Sequence, residues 1–519
     1  MNPTRRAAAV AGAALLLCAT AACGGGGSAG STGGGDTLAI GLQMSLPSLN
    51  PVLSPISPTL VYAYDPLIYR ANNGTYVPDL ATKWGYVGSG NRVFQLTLRS
   101  GAKFADGTPL TAQAVKNSLD YFLRTPNSNL AAAGPISAVT AVGQRTVRIT
   151  YKSSFPNAVD SLTQFWGIGL IIGPKGLASP KGLETSTDGV GQYTLDASGT
   201  RAGSVYTFAA GKTYFNQSAI RYKKIQIRTY ATDSARLNAL KSGQIQDATQ
   251  ISLGQTGTAA ANGFQQLKGN TTWMVTQFLN TKSGPLASKA VRQALSYAID
   301  RNTIVKDFYG GLAVSQDQFA PRGVAGYSAG LDNAYTYDTA KAKQLLGTAG
   351  YAKGFTLKLL TDQTADPGGS LGQVLRSQLA KIGVKVELSV NTGTFPQLQS
   401  KLASGDYDAA LFNLASVDLY STATQSLVSP KSLLNPSATA DPTAMRLLNA
   451  AATASGTSAV QTALVELNTY LTRSALGVPI VTRTNVDLVS TDVVLPSTSY
   501  VTPQPSMIGP AASYAFAAK

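Results

Sequence analysis

Both cysteines of this 519-residue chain lie within its first 23 positions, in the run LLLCATAACGGGG. Upstream of Cys23 stand Arg5 and Arg6 and an apolar stretch from Ala7 to Ala22, the build of a bacterial secretory signal and too short for an ordinary membrane span. Cys23 follows Thr20, Ala21 and Ala22. That pattern resembles a lipoprotein lipobox, whose cysteine becomes a diacylated N-terminus. Leu17 before Cys18 removes that residue from the part, and the alternative is an ordinary signal cut near Ala22. On either reading residues 1–22 are a signal peptide, and the body beyond has no second cysteine for an intramolecular disulfide despite an oxidising location. Its stability must come from burial. Residues 23–35 read as a lipidated cysteine and a Gly/Ser tether, with a root-mean-square reach of about 20 Å by random-coil scaling. The expectation is a folded body from Asp36 onward, lipid-anchored on the extracytoplasmic face of the cell membrane.

The chain is 44% hydrophobic and 13% charged, with length enough for two or three domains. No later segment offers the roughly 18 uninterrupted apolar residues of a membrane span. The formal charge of +16 comes from dispersed Lys and Arg; the densest group, Arg221, Lys223, Lys224 and Arg228, is too sparse to track phosphates. A positive surface above anionic lipid explains it, and no nucleic acid is expected. The chain has no histidine. Ser-His-Asp and Cys-His catalysis and the usual zinc sites are thereby excluded. The G-x-S-x-G match at Gly326–Gly330 has no histidine base, and Ser100-Gly-Ala-Lys103 lacks the partner motifs of serine-lysine hydrolases. Gly211-Lys212-Thr213 resembles a P-loop ending, but Tyr206 stands where its first glycine should be.

Periodicity gives an interleaved α/β chain. Strands are predicted over 37–42, 93–98, 205–208, 225–228, 356–360 and 384–390. Helices are predicted over 112–123 behind the cap Thr111, then 288–297, 302–309 up to Gly310-Gly311, 339–346 and 371–382.

A set of ordered motifs then accumulates: Tyr76-Val-Pro-Asp-Leu-Ala-Thr-Lys-Trp84, Phe94–Arg99, Gly101–Phe104, Asp106–Ala112, Gly189-Val-Gly-Gln-Tyr193, Arg236–Gly243, Val291–Arg301, Ala349-Gly-Tyr351, Leu379–Val384 and Ser404–Asp408. Together they closely resemble the family 5 extracellular solute-binding proteins, the receptors of peptide and nickel ABC importers, over nearly the whole mature chain. The resemblance implies an α/β, two-lobed periplasmic-binding-protein-like fold (type II, cluster C) with an extra N-terminal subdomain. Lobe I would span 36–277, with the subdomain at about 60–180; lobe II 278–490; and 491–519 would return to lobe I. The strands between the lobes are expected to cross near Met274–Asn280 and Asp487–Leu495. It implies no catalytic residue, resident metal or cofactor. The partners implied are a peptide or small-molecule ligand and the permease and ATPase subunits of an importer, with the receptor itself a monomer.

Site residues follow from the resemblance. Gln43, Met44 and Ser45 follow the first strand, where family members contact ligand backbone. Thr249 and Gln250 fall where relatives place polar contacts, and Phe395 where they often have tryptophan. In peptide-binding members a Gly-Trp pair leads to an aspartate that pairs with the peptide α-amino group. Here Asn413-Leu414 replaces that pair, and Asp418 lies one residue beyond the aligned position, so it is either the α-amine partner or a solvated carboxylate. Gln192 stands where the family usually has proline, and Tyr214-Phe215-Asn216 replaces a common Tyr-Trp pair. Other ligands (oligosaccharide, metal chelate or haem) and a ligand-sensing signalling lipoprotein remain alternatives.

Overall fold

The computed structural model describes residues 35–519 except 44, 45, 47, 55–59, 128, 252–262, 363–364, 367–368, 393–394, 416–417, 429–434 and 436–439. Cys23, Met44 and Ser45 therefore lie outside the described residues. One 12-stranded sheet runs through the molecule. At one end Thr37–Leu42 pairs in parallel with Lys224–Thr229 and Asp247–Ala248. At the other, Phe355–Asp362 pairs in parallel with Val384–Asn391 and with Ala409–Ala415.

Two long strands, Gln265–Leu279 and Gly477–Val489, join the ends and pair antiparallel with each other. Their register breaks between Gly269 and Trp273, opposite Asn485 and Arg483. The core changes there too. Leu267 and Val489 pack into the lobe I core, whereas Val275, Val478, Ile480 and Val481 pack into that of lobe II. The register break and the change of core thus coincide at residues 269–273 and 483–485. A Cβ on Gly269 would collide with the ring of Tyr500, so glycine lets the C-terminal strand Ser499–Tyr500 close on this crossing.

The subdomain is a four-stranded antiparallel sheet in the order Ala81–Tyr86, Val93–Leu98, Thr146–Tyr151, Ile136–Val142. Alternation puts Phe94, Leu96 and Leu98 inside. The helix Ala112–Arg124 covers this sheet with Ala114, Val115, Leu119 and Phe122. Its cap is the expected one, with Thr111 Oγ1 accepting from the Ala114 N–H at 3.1 Å.

Lobe II buries both sheet faces. Lys289–Ala298, Thr339–Thr348 and Ser370–Ala380 supply Val291, Leu346 and Leu375 to one core, while Pro442–Thr453 and Thr457–Arg473 supply Leu448 and Leu467 to the other. The helix predicted over 302–309 is instead a short α turn, Arg301–Thr303, capped by Asp300 and running into a wider π turn, Ile304–Phe308. Two arginines of the Val291–Arg301 motif staple this lobe. Arg292 donates to the carbonyls of Leu286, Ala287, Ser474 and Ala475. Arg301 donates to those of Ser296, Ile299, Gln316, Tyr335 and Pro479, with Asp317 Oδ1 3.1 Å away. Among the described residues no helix is long and apolar enough to cross a membrane.

Candidate functional site

The lobes touch through two asparagines of the subdomain. Asn91, held in the left-handed region at φ 50°, donates from Nδ2 to the carbonyls of Ala452 (2.9 Å) and Ala454 (2.8 Å). Asn157 donates from Nδ2 to Asp418 Oδ1 (2.7 Å) and to Ser421 Oγ (2.9 Å). Asp418 follows the strand Ala409–Ala415 in extended conformation, where its carboxylate can cap the short helix Leu419–Thr422; the Ser421 N–H donates to Oδ1 at 2.6 Å. Both bonds fall on the same oxygen.

Facing it from lobe I is a second charged group. Arg70 ends the strand Ile68–Arg70, and Gln164 fixes its backbone by accepting from its N–H (3.0 Å) and donating to its carbonyl (2.7 Å). The guanidinium pairs with Asp160 at 3.0 Å. Asp160 is crowded with donors, since Tyr76 Oη donates to Oδ1 at 3.1 Å and Trp166 Nε1 to Oδ2 at 2.7 Å. Arg70 Nε is buried and has no hydrogen-bond partner.

The electrostatics are unbalanced. Burial, and then the neighbouring Asp160 charge, push the Asp418 carboxyl above the usual carboxylate range, against the bonds from Ser421 and Asn157. For Arg70, burial opposes the charge, but Asp160, Tyr76 and Asp418 outweigh it and its pKa is raised. Asp160 thus pairs with the guanidinium directly, while Asp418 acts on it through its charge.

The other sequence-predicted residues are more scattered. Gln43 is exposed just past the first strand. Thr249 is buried and donates to the Gly41 carbonyl at 3.1 Å, while Gln250 turns at φ 46° and gives its N–H to Asp487 Oδ1 at 2.7 Å. These two therefore close the join of the first strand to the crossing strand. Asn413 sits in Ala409–Ala415 with its Oδ1 buried and unpartnered, and Leu414, on the opposite strand face, belongs to the lobe II core with Met274 and Phe278. Phe395 opens the helix Phe395–Ser404; its side chain lies outside the described residues. Among the predicted residues that are described, Asp418 is bonded to the opposite lobe, by Asn157. Sequence reasoning missed Arg70, Asn157, Asp160 and Trp166. The available signal was a charge inside the apolar run Leu67–Ala71 in a chain with 13% charged residues.

Two further pairs of buried carboxyls lie away from this cleft. Asp247 and Asp487 are both fully buried beside Arg236. Burial drives Asp487 up to about 7 against the opposing Gln250 N–H and Arg236. Asp65 and Asp79 lie together in lobe I, where burial again raises Asp65 to about 7. Among the described residues no three His, Cys, Asp or Glu side chains gather as a metal centre.

Two lobes are joined by a pair of crossing strands, and polar groups of both meet between them. Residues 75–432 match the family described as bacterial extracellular solute-binding proteins, family 5 (middle), and the chain belongs to that family. The glutathione-binding protein of Salmonella typhimurium is 30% identical over 302 residues, 57% of this chain; the chain spans the same 57% share of that protein. Two solved structures share the fold over 93% of this chain. A periplasmic binding protein of A. tumefaciens R10, in complex with agropinic acid, is 24% identical with a TM-score of 0.74 over 99% of its length. The Escherichia coli murein tripeptide binding protein is 21% identical with a TM-score of 0.73 over 98% of its length.

Proposed function

We propose that this protein captures an amine-bearing, peptide-like solute between its lobes and delivers it to the permease and ATPase of an ABC importer, working as a monomer tethered to the membrane through Cys23. The observation that carries this reading is the charge count in the cleft. Asp418 and Asp160 present two carboxylates against the single guanidinium of Arg70. A ligand ammonium beside Asp418 would restore neutrality and form a charge-assisted bond. The unpartnered Arg70 Nε offers a donor to a ligand carbonyl or carboxylate.

Binding would act as a population shift. The ligand bonds to both lobes at once and so favours the closed form over the open one. The glutathione-binding relative supports a short peptide as the class. The test is a thermal-shift and calorimetric titration of the full chain with glutathione and a set of short peptides, each with a free and an N-acetylated amine. Saturable binding that N-acetylation abolishes is expected. Binding of a sugar or metal chelate, with no response to any peptide, would overturn the ligand class and leave the two-lobed receptor in place.

A further inference from the structure

A second polar site lies inside lobe I, beneath the C-terminal tail. Asp65 and Asp79 are 3% and 1% exposed, and their carboxyl groups are within hydrogen-bonding reach of each other. Asp65 Oδ2 and Asp79 Oδ1 nevertheless have no donor. Both residues line a pocket of about 10 Å³, close to the room one water-sized body needs. Gln192 lines the same pocket, is 1% exposed, and spends its Nε2 on the Gly509 carbonyl. That bond turns Oε1 the other way, where it too is buried without a partner. The Tyr214 hydroxyl stands beside Asp65 and Gln192 but makes no hydrogen bond of ordinary length. The charge near by is Arg99, whose Nε is held 2.9 Å from the Asp79 backbone carbonyl. Burial, and for Asp79 also the charge of Asp65, raises both carboxyls above the usual carboxylate range, so the pair beside Arg99 either keeps a proton or takes a cation in its place, in a space with room for a single small body.

We propose that Asp65 Oδ2, Asp79 Oδ1 and Gln192 Oε1 hold one small hard cation, sodium or calcium, in lobe I. Hard cations take oxygen donors of this kind, carboxylate and amide together. The tail is the element such a site would secure. Gln192 ties the pocket to Gly509, Asn216 Nδ2 donates to the Pro510 carbonyl at 2.8 Å, and Tyr69 donates to the Ile508 carbonyl at 2.9 Å. Gln192 is one departure from the family pattern noted in the sequence, and Asn216 ends the other, Tyr214-Phe215-Asn216. Both now have a structural use, as anchors for the tail.

The test uses the chelator-treated full chain at pH 8, titrated separately with sodium chloride and calcium chloride, with choline chloride as the ionic-strength control. One of the two cations is expected to raise the melting temperature along a single-site curve. Above its midpoint each tenfold rise in cation should raise the folding equilibrium constant about tenfold. The cation that acts identifies the occupant. Equilibrium dialysis of the wild-type chain should find one bound ion per molecule, a readout independent of any variant. Gln192→Met should weaken the response and Asp79→Asn abolish it. The proposal is overturned if neither cation acts beyond choline, or if both variants respond as the wild type does. It is equally overturned if stability follows pH alone, since the two carboxyls would then simply share a proton.

Discussion

The arginines of lobe II and the arginine of the cleft are used in opposite ways. Arg292 and Arg301 come from one of the ordered family-like motifs, Val291–Arg301, and both donate to several backbone carbonyls. Burial lowers the pKa of each, so their charge costs free energy and is retained because it gathers chain ends that would otherwise leave carbonyls unpaired. Arg70 lies outside the recognised motifs and is left with an unpartnered Nε amid two carboxylates, which raise its pKa instead. A family signature can therefore mark what holds a lobe together, while the residues proposed to meet the ligand, Arg70 and Asp418, stand outside the ordered motifs.

The sharpest way to break this contrast is to remove a staple. Arg301→Ala strands Asp317 and several carbonyls inside lobe II, and a loss of about 3–5 kcal/mol in urea unfolding is expected, as for other broken buried pairs. A loss as small as that of a surface substitution would show that the motif is not structural. Asp418→Asn should do the reverse. Asparagine caps a helix start nearly as well as aspartate, so stability should stay within about 0.5 kcal/mol. Affinity for an amine-bearing ligand should fall about 10- to 100-fold, the equivalent of one hydrogen bond to a charged group. Equal losses of stability and affinity would make Asp418 a cap and nothing more.

Asn157→Ala tests the contact between lobes rather than the ligand. Removing its bonds to Asp418 and Ser421 should shift the equilibrium toward the open form, seen as a larger radius of gyration in solution scattering at sub-saturating ligand, with about tenfold weaker binding. An unchanged radius would mean that Asn91 alone holds the lobes together.

A further expected effect concerns pH. A carboxyl raised to about 7 in the folded chain, as Asp487 is, binds its proton more tightly folded than unfolded. Its contribution is full below the unfolded value of about 4 and is lost as pH rises toward 7. Stability should thus decline between about pH 4 and pH 7. Asp487→Asn keeps an acceptor for the Gln250 N–H and should flatten that decline, raising the melting temperature at pH 8 while leaving ligand affinity unchanged. Thermal melts across the pH range decide it, and an unaltered slope would assign the decline to other groups.

How far the sequence carried the account varied with the range of the interactions involved. The helix Ala112–Arg124 and the strand Val93–Leu98 were legible because cap, spacing and alternation are local. The π turn at Ile304–Phe308 was not, because it carries the helical periodicity of its neighbours. The crossing strands were harder still. Gly477–Val489 is buried along most of its length, so it shows no alternation, and where it passes between lobes is fixed by its pairing with a strand some 200 residues earlier in the chain. The site mixes the two cases. Asp418 could be reached from a motif, but Asn157, which bonds it, is 261 residues away, and Arg70 and Asp160 are 90 apart. Nothing local announces that these segments meet.

The most direct measurement is native mass spectrometry, with a denaturing extraction in parallel, of the full chain purified from its own host, wild type and Asp418→Asn side by side. The wild type is expected to carry short amine-bearing peptides and the variant to be empty. An identical load on both, or a load without an amine, would contradict the assignment of Asp418 and Arg70 as the ligand-reading pair.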